Sequence, residues 1–252
     1  MKSKPIHQNI IAKLYLAVIA AFLISVPEAF AQVTFTDDET VFFALNPNLA
    51  DQDFESGNAG PGSVVNCSKI LNEDTNDACF SPGDILPGIE FESTLEDLAI
   101  VGQGFGNNPF IVLLPVFSGD SMDITFPGNT VSAVGMDLGC LLEGPGACSN
   151  NVLVRVYGAG DELVGTRLVA VTDFFDSFLG IRSAGPITRI NLSNGDQLIF
   201  FEGIDRIAFG PAGFTANVPT LSEWGMISAA VGLGLVGVFF AVRRRRSTIQ
   251  DA

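Results

Sequence analysis

Histidine is nearly missing from this 252-residue chain; its single copy, His7, lies among the first ten residues. A Ser-His-Asp or Cys-His mechanism needs an imidazole to move the proton, so the body of the chain is excluded from most hydrolase chemistry. Aromatic platforms are also scarce: tryptophan occurs once, at Trp224, and tyrosine at Tyr15 and Tyr157 only. Basic residues number 13 against 28 acidic ones, and seven of the 13 sit at the two ends. Between Gln32 and Val218 the basic residues are Lys69, Arg155, Arg167, Arg182, Arg189 and Arg206, six against 25 acids, for a net charge of −19. Such a field repels phosphate backbones and excludes nucleic acid as a partner, while divalent cations and neutral polymers remain compatible with it. Cysteine occurs four times with no C-x-x-C spacing; without histidine, this excludes zinc.

The two ends carry addresses. Lys2, Lys4 and Lys13 precede the apolar run Leu14 to Val26, and Ala29-Phe30-Ala31 follows. Thirteen residues of helix cover about 20 Å, less than the roughly 30 Å hydrocarbon layer, so the order reads as a secretory signal peptide over 1–31, cleaved after Ala31. At the other end, Gly225 to Val242 has no charged residue and runs into Arg243, Arg244, Arg245 and Arg246. Eighteen helical residues reach about 27 Å, which predicts a transmembrane helix over 225–242, with the four arginines as its cytoplasmic stop. Both ends place the intervening body, 32–217, outside the cytoplasm. There an oxidising compartment lets Cys67, Cys79, Cys140 and Cys148 pair. Three connectivities are possible; the loop-like intervals favour the local pairs Cys67–Cys79 and Cys140–Cys148.

The body shows short apolar or alternating runs between turn residues and no long helical period, an all-β signature. The predicted strands are 33–36, 51–55, 88–92, 111–114, 122–126, 132–138, 152–157, 163–172, 174–181, 187–192, 197–201 and 204–209, enough for two sheets. Pro127-Gly128-Asn129, Gly158 to Asp161 and Ser193 to Asp196 read as hairpin turns, the last most clearly. A short helix is expected over 38–45, capped by Thr36 or Asp37, with Val41, Phe42 and Leu45 on one face and lying across one end of the sandwich. Gly57 to Pro87 reads as a surface loop. Phe54, Phe91, Phe126, Phe200 and Phe209 are expected to fill the space between sheets.

Few side chains suggest chemistry. Asp51, Asp53 and Glu55 alternate, so they project from one strand face, and Asp205 joins them if the first and last strands pair; hard oxygen ligands in that number predict a calcium site. As a carboxylate pair they would serve glycosidic hydrolysis, but spacing alone does not distinguish this from a solvated strand face. Asn72 to Asp77 is a second oxygen-rich stretch without the central glycine of a calcium loop. Gly102 to Gly106 has no following helix or lysine and is no phosphate cradle.

The tail Val218-Pro219-Thr220-Leu221-Ser222-Glu223-Trp224-Gly225, followed by the apolar span and arginine cluster, closely resembles the IPTL-CTERM sorting signal, with Val218 in place of the usual isoleucine. The resemblance covers 218–252. It implies an envelope protein handled by the secretion translocon and signal peptidase, then by an exosortase-like enzyme that releases the body to the cell surface or extracellular matrix. More loosely, Phe35 to Glu55, Val134 to Leu138 and Phe178 to Gly210 are similar to exported PEP-CTERM-like β-sandwich proteins, which implies a jelly-roll-like fold of two sheets and supplies no catalytic residue. The resulting expectation is a non-enzymatic surface or matrix protein that adheres to or scaffolds extracellular polymer, including polysaccharide. The alternative is a calcium-dependent carbohydrate-binding lectin or a carbohydrate-active enzyme.

Overall fold

The computed structural model describes residues 33–128, 130–142, 147–194 and 200–213. The expected signal peptide, the sorting motif, the transmembrane span and the arginine stop lie outside the described residues. The chain divides into two units, Met1–Gly213 and Phe214–Ala252, and every described residue belongs to the first. No helix among the described residues is long and apolar enough to cross a membrane.

The elements in chain order are β1 (Val33–Thr36), α1 (Glu39–Leu45), β2 (Ala50–Asp53), β3 (Val64–Asn66), β4 (Ile70–Leu71), β5 (Glu90–Ser93), β6 (Leu98–Val101), β7 (Val112–Pro115), β8 (Ser121–Thr125), β9 (Ala133–Leu142), β10 (Ser149–Tyr157), β11 (Leu163–Thr172), β12 (Ser177–Ser183), β13 (Arg189–Ser193) and β14 (Phe200–Gly210). They form two antiparallel sheets. The eight-stranded sheet runs β1-β12-β9-β14-β7-β6-β3 with β2 also on β14, and the six-stranded sheet runs β11-β10-β13-β8-β5-β4. From β7 onward the chain changes sheets at nearly every connection, so repeated crossovers link the two layers.

Alternation fixes which side chains face inward. Met122 and Ile124 of β8, Val152, Val154 and Val156 of β10, and Ile190 and Leu192 of β13 meet Val134, Met136 and Leu138 of β9 and Ile204, Ile207 and Phe209 of β14 in one buried core. Phe54, Phe91, Phe126 and Phe209 are buried there as expected, with Phe200 packed against them. Phe54 and Phe91 meet edge to face at 5.4 Å between centroids.

The outer face of the eight-stranded sheet is closed differently. Gly180 and Gly135 stand opposite each other on β12 and β9, and Phe42 of α1 fills the gap they leave. A Cβ on Gly180 would come within 2.5 Å of the Phe42 ring and one on Gly135 within 2.6 Å. Gly203 and Gly139 form a second opposed pair on β14 and β9. Here the ring is Phe175, 2.3 Å from a Cβ placed on Gly139. Phe175 holds φ +54°, a left-handed conformation costly for a bulky residue; burial of its ring over the glycines holds it there.

Several expectations need correction. α1 lies over the sheet face, not across an end of the sandwich, because its one buried residue, Phe42, must reach the glycine gap. Its cap is Asp38, whose Oδ1 accepts from Val41 N at 2.9 Å; Thr36 Oγ1 instead accepts from Asp38 N at 3.1 Å, and Val41 is 49% exposed. Gly158 to Asp161 does make the β10–β11 hairpin, with Gly160 at φ +72° and Asp161 at +62°. The other two turns are not hairpins, since β8 and β9, and likewise β13 and β14, belong to different sheets. Their residues 129 and 195–196 lie outside the described residues. The expected 57–87 loop contains β3 and β4, and the predicted strands 197–201 and 204–209 meet in the single β14, described from Phe200.

Both local disulfides are present, Cys67–Cys79 and Cys140–Cys148. The first pins the end of β3 to the following loop; the second ties β9 of one sheet to the entry of β10 in the other. Closing loops of these lengths contributes about 2.5–3 kcal/mol each in the chain-entropy treatment.

Truncating either plug, Phe42→Ala or Phe175→Ala, is expected to cost about 3–5 kcal/mol, read as a lower denaturant midpoint. A loss below about 1 kcal/mol at Phe175 would show that the ring is not what closes the Gly139–Gly203 gap.

Candidate functional site

The outer face of the six-stranded sheet is polar over several strands at once. Register places Tyr157 of β10 beside Arg189 of β13, then Thr125 of β8 and Glu90 of β5 in one cross-strand row. The next row is Arg155, Asn191, Asp123 and Glu92. Leu153, Ser193 and Ser121 form a third. On each strand these residues are two apart, so their neighbours in sequence point into the core.

The rows are bonded to one another. Asn191 is the hub: its Oδ1 accepts from Arg155 Nη1 at 3.1 Å, and its Nδ2 donates to Asp123 Oδ1 at 2.8 Å and Ser121 Oγ at 3.3 Å. Arg155 Nη1 also donates to Ser193 Oγ at 3.1 Å. Arg189 donates to Asp123 Oδ1 at 3.0 Å and to Asp161 at 2.5 Å, and its guanidinium lies 3.7 Å over the Tyr157 ring. These two carboxylates lift the Arg189 pKa further although burial opposes it. Asn191 is 8% exposed, and the Arg189 and Asp123 side chains are about one-fifth exposed. Among the described residues Arg155 has no carboxylate partner.

Chemically, the face presents planar donors and acceptors held in fixed directions. Arg155, Asn191 and Asp123 cannot swing away without losing a partner, so a ligand meets them already ordered. Among the described residues no nucleophile-base pair stands on it. A vicinal pair of sugar hydroxyls, each both donor and acceptor, is matched by such side chains.

A concavity lies on the outer face of the eight-stranded sheet. It has a volume of about 230 Å³ and is lined by Val64, Val101, Phe105, Leu114, Leu141 and Phe201 among others. Its lining is mostly apolar, with Asn66 the one polar side chain among the lining residues.

The residues expected to hold calcium are not gathered into a ligand set. β2 does pair with β14, with Asp53 opposite Arg206 and Asp51 opposite Ala208, and Asp205 is the extra residue of a bulge between Ile204 and Arg206. Arg206, however, takes the cation's place, donating to Glu39 Oε1 at 2.6 Å and Asp137 Oδ2 at 2.9 Å. Glu55 Oε1 accepts from Ile111 N at 3.1 Å, and Asp53 Oδ1 accepts from Glu55 N at 3.3 Å. Among the described residues no three His, Cys, Asp or Glu side chains stand close enough to hold a metal. Within 72–77, Asp77 serves the backbone, accepting from the amides of Ser68, Cys79 and Phe80 at 2.7–3.0 Å.

Nothing in the sequence analysis singled out Arg155, Asn191 or Asp123. The available signal was a shared pattern, polar residues at every second position in 121–125 and 189–193 and at Arg155 and Tyr157, which acquires meaning only when the three strands are known to be neighbours.

No protein-family model matches this sequence, and no curated protein matches it. Among solved structures, the chain is similar to a family 6 carbohydrate-binding module at 10% identity, covering 58% of this chain and 95% of that one, TM-score 0.29. A family 29 carbohydrate-binding module from Piromyces equi shows 12% identity over 64% and 97%, TM-score 0.29. The CBM22-1 xylan-binding domain from Paenibacillus barcinonensis Xyn10C shows 9% over 66% and 96%, TM-score 0.31. At these TM-scores the likenesses establish neither fold nor ligand.

Burial, then the nearby Asp137 and Glu55 carboxylates, push the Asp205 pKa up to about 7, with Arg206 opposing. A carboxyl raised in the folded state contributes stability that is present below its unfolded pKa of about 4 and lost as pH rises through 7. Asp205→Asn is therefore expected to stabilise the protein by about 1–3 kcal/mol at pH 8 and hardly at pH 4. Equal effects in denaturant melts at both pH values would contradict this.

Proposed function

We propose that this is an exported, non-enzymatic protein of a bacterial envelope whose jelly-roll-like sandwich binds extracellular polysaccharide along the outer face of the six-stranded sheet. The observation that carries the reading is the bonded network of Arg155, Asn191, Asp123 and Arg189. A merely solvated strand face would carry independent charges with free rotamers, whereas these side chains are locked across three strands. A neutral polymer suits a body of net charge −19, because it brings no charge to be repelled. Adhesion or scaffolding of matrix follows from such binding when the protein is displayed at the surface.

Export is supported by the three-zone N-terminus and by the pairing of all four cysteines, which requires an oxidising compartment. The tail at 218–252 supplies the rest of the reading: insertion in the inner membrane, processing by an exosortase-like enzyme, and release to the cell surface, outer envelope or matrix.

Asn191→Ala, which removes the hub, is expected to weaken retention of the protein by soluble polysaccharide in affinity electrophoresis at least tenfold, with an unchanged circular dichroism spectrum. Retention by the variant equal to the parent would remove this face from consideration. Intact mass of the protein from the envelope of its host is expected to lack both 1–31 and the Arg243–Arg246 cluster; a mass that includes either end would count against sorting.

A further inference from the structure

A β-sheet ends in strands whose outward N–H and C=O groups have no ladder, and proteins keep such edges short, charged or interrupted by proline. Among the described residues, three of the four strands at the ends of the two sheets follow that rule by length: β1 has four residues, β3 three and β4 two. β11 does not. It is ten residues long, Leu163–Thr172, and closes one side of the six-stranded sheet. Its ladder to β10 is regular except at the start, where the register shifts beside Tyr157. Apart from that ladder, no backbone hydrogen bond among the described residues reaches 163–172.

The side chains leave this edge equally unguarded. Neither proline nor an acid occurs in the strand, and Arg167 is its only charge. In a body with 25 acids against six bases, two copies repel wherever carboxylates would meet; along β11 none would. Apolar groups are turned outward as well, with Leu168 59% exposed and Leu163 52%. Beside the strand lies a notch of about 490 Å³, bounded by Arg167 and Val169 of β11, by Asp37, and by Ser177 and Phe178 of β12. β1 pairs with β12 only over Gly180–Ser183, which leaves Ser177 and Phe178 with no strand beside them on that side. Asp37, the one carboxylate in the lining, is already held by Arg167 at 2.9 Å.

We propose that β11 is the interface with a second copy of this chain, the two strands pairing antiparallel about a two-fold axis at Leu168. Such a contact is self-complementary, and side chains directly opposite each other share a face. An axis at Arg167 would set two guanidinium groups against each other, which is unfavourable. One at Val169 would engage only 166–172 of the strand. The axis at Leu168 engages 164–172 and sets Leu168 against its own copy, Thr166 against Ala170 and Arg167 against Val169. Leu168 and Thr166 stand opposite Leu153 and Arg155 of β10, so the polar outer faces of both copies become one surface. The contact stands whether or not that surface binds polymer.

The test uses the full chain purified after export. Sedimentation velocity is expected to show a reversible monomer–dimer equilibrium that tightens as salt rises, because screening relieves the repulsion between acidic bodies. Leu168→Glu, which sets two carboxylates face to face, is expected to weaken dimerisation about tenfold with an unchanged circular dichroism spectrum. Leu163→Glu, the same charge at the start of the strand, should leave dimerisation as it is. Leu168→Cys is expected to form an intermolecular disulfide on mild oxidation, since directly opposed Cα atoms lie about 4.5–5.5 Å apart. Leu163→Cys, also exposed, should not, because the two copies of that residue stand about 30 Å apart. A chain that stays monomeric at every concentration and salt, a dimer that Leu168→Glu leaves intact, or equal cross-linking at 163 and 168 would overturn the proposal.

Discussion

Two phenylalanine rings pressed into opposed glycine pairs decide how the larger sheet is covered, and the division of labour between the two faces follows from that. Phe42 and Phe175 meet gaps that only glycine leaves open, with Gly135 and Gly180 beneath one and Gly139 and Gly203 beneath the other. One plug comes from a seven-residue helix and the other from a residue at positive φ, so two unrelated local structures are recruited for the same steric task. The two rings cover the sheet over β9, β12 and β14 and leave an apolar groove beside Val101, Leu141 and Phe201, whereas the six-stranded sheet presents polar groups to solvent.

The acidic composition is handled by three distinct means. Where a carboxylate caps backbone, as at Asp77 and Asp120, amide and hydroxyl donors hold it ionised in spite of burial. Where acids crowd a sheet face, Arg206 serves as a fixed counter-ion for Glu39 and Asp137, and its neighbour Asp205 carries the residual repulsion as a raised pKa. At Glu202, which is buried and has no hydrogen-bond partner for either carboxyl oxygen, neither device is present. The same negative charge that excludes nucleic acid from the outside thus has different consequences at each position inside, and only the surroundings of each group reveal which.

Much of the fold was legible from spacing alone. β1 and β11 have the boundaries that their alternation predicts, and the two cysteine pairs follow from the loop-like intervals between them. The short strands β3, β4 and β6 were not, because two to four residues carry too little periodicity to stand out from a glycine- and asparagine-rich stretch. β14 read as two strands because Glu202-Gly203 interrupts the apolar pattern, although the backbone continues through and a Cβ on Gly203 would meet the Leu113 carbonyl oxygen at 2.7 Å and the Phe175 ring at 3.2 Å. The turns after β8 and β13 have hairpin chemistry yet cross between sheets, since turn residues specify local φ and not which layer receives the next strand. The candidate site was the least legible: Asp123, Arg155 and Asn191 are separated by more than 30 residues each and become one network only through strand order. The acids that did look like a site, Asp51, Asp53, Glu55 and Asp205, were read without their neighbour Arg206.

The central claim is that the two outer faces differ in role, the six-stranded one presenting a polar surface to polymer and the eight-stranded one covered in part by its plugs and apolar where it stays open. Amide hydrogen exchange of the protein with and without a bound oligosaccharide tests it most directly. Added protection over 121–125, 153–157 and 189–193, with 99–116 unchanged, is the predicted result; protection confined to 99–116 and the Phe105 groove would contradict the account.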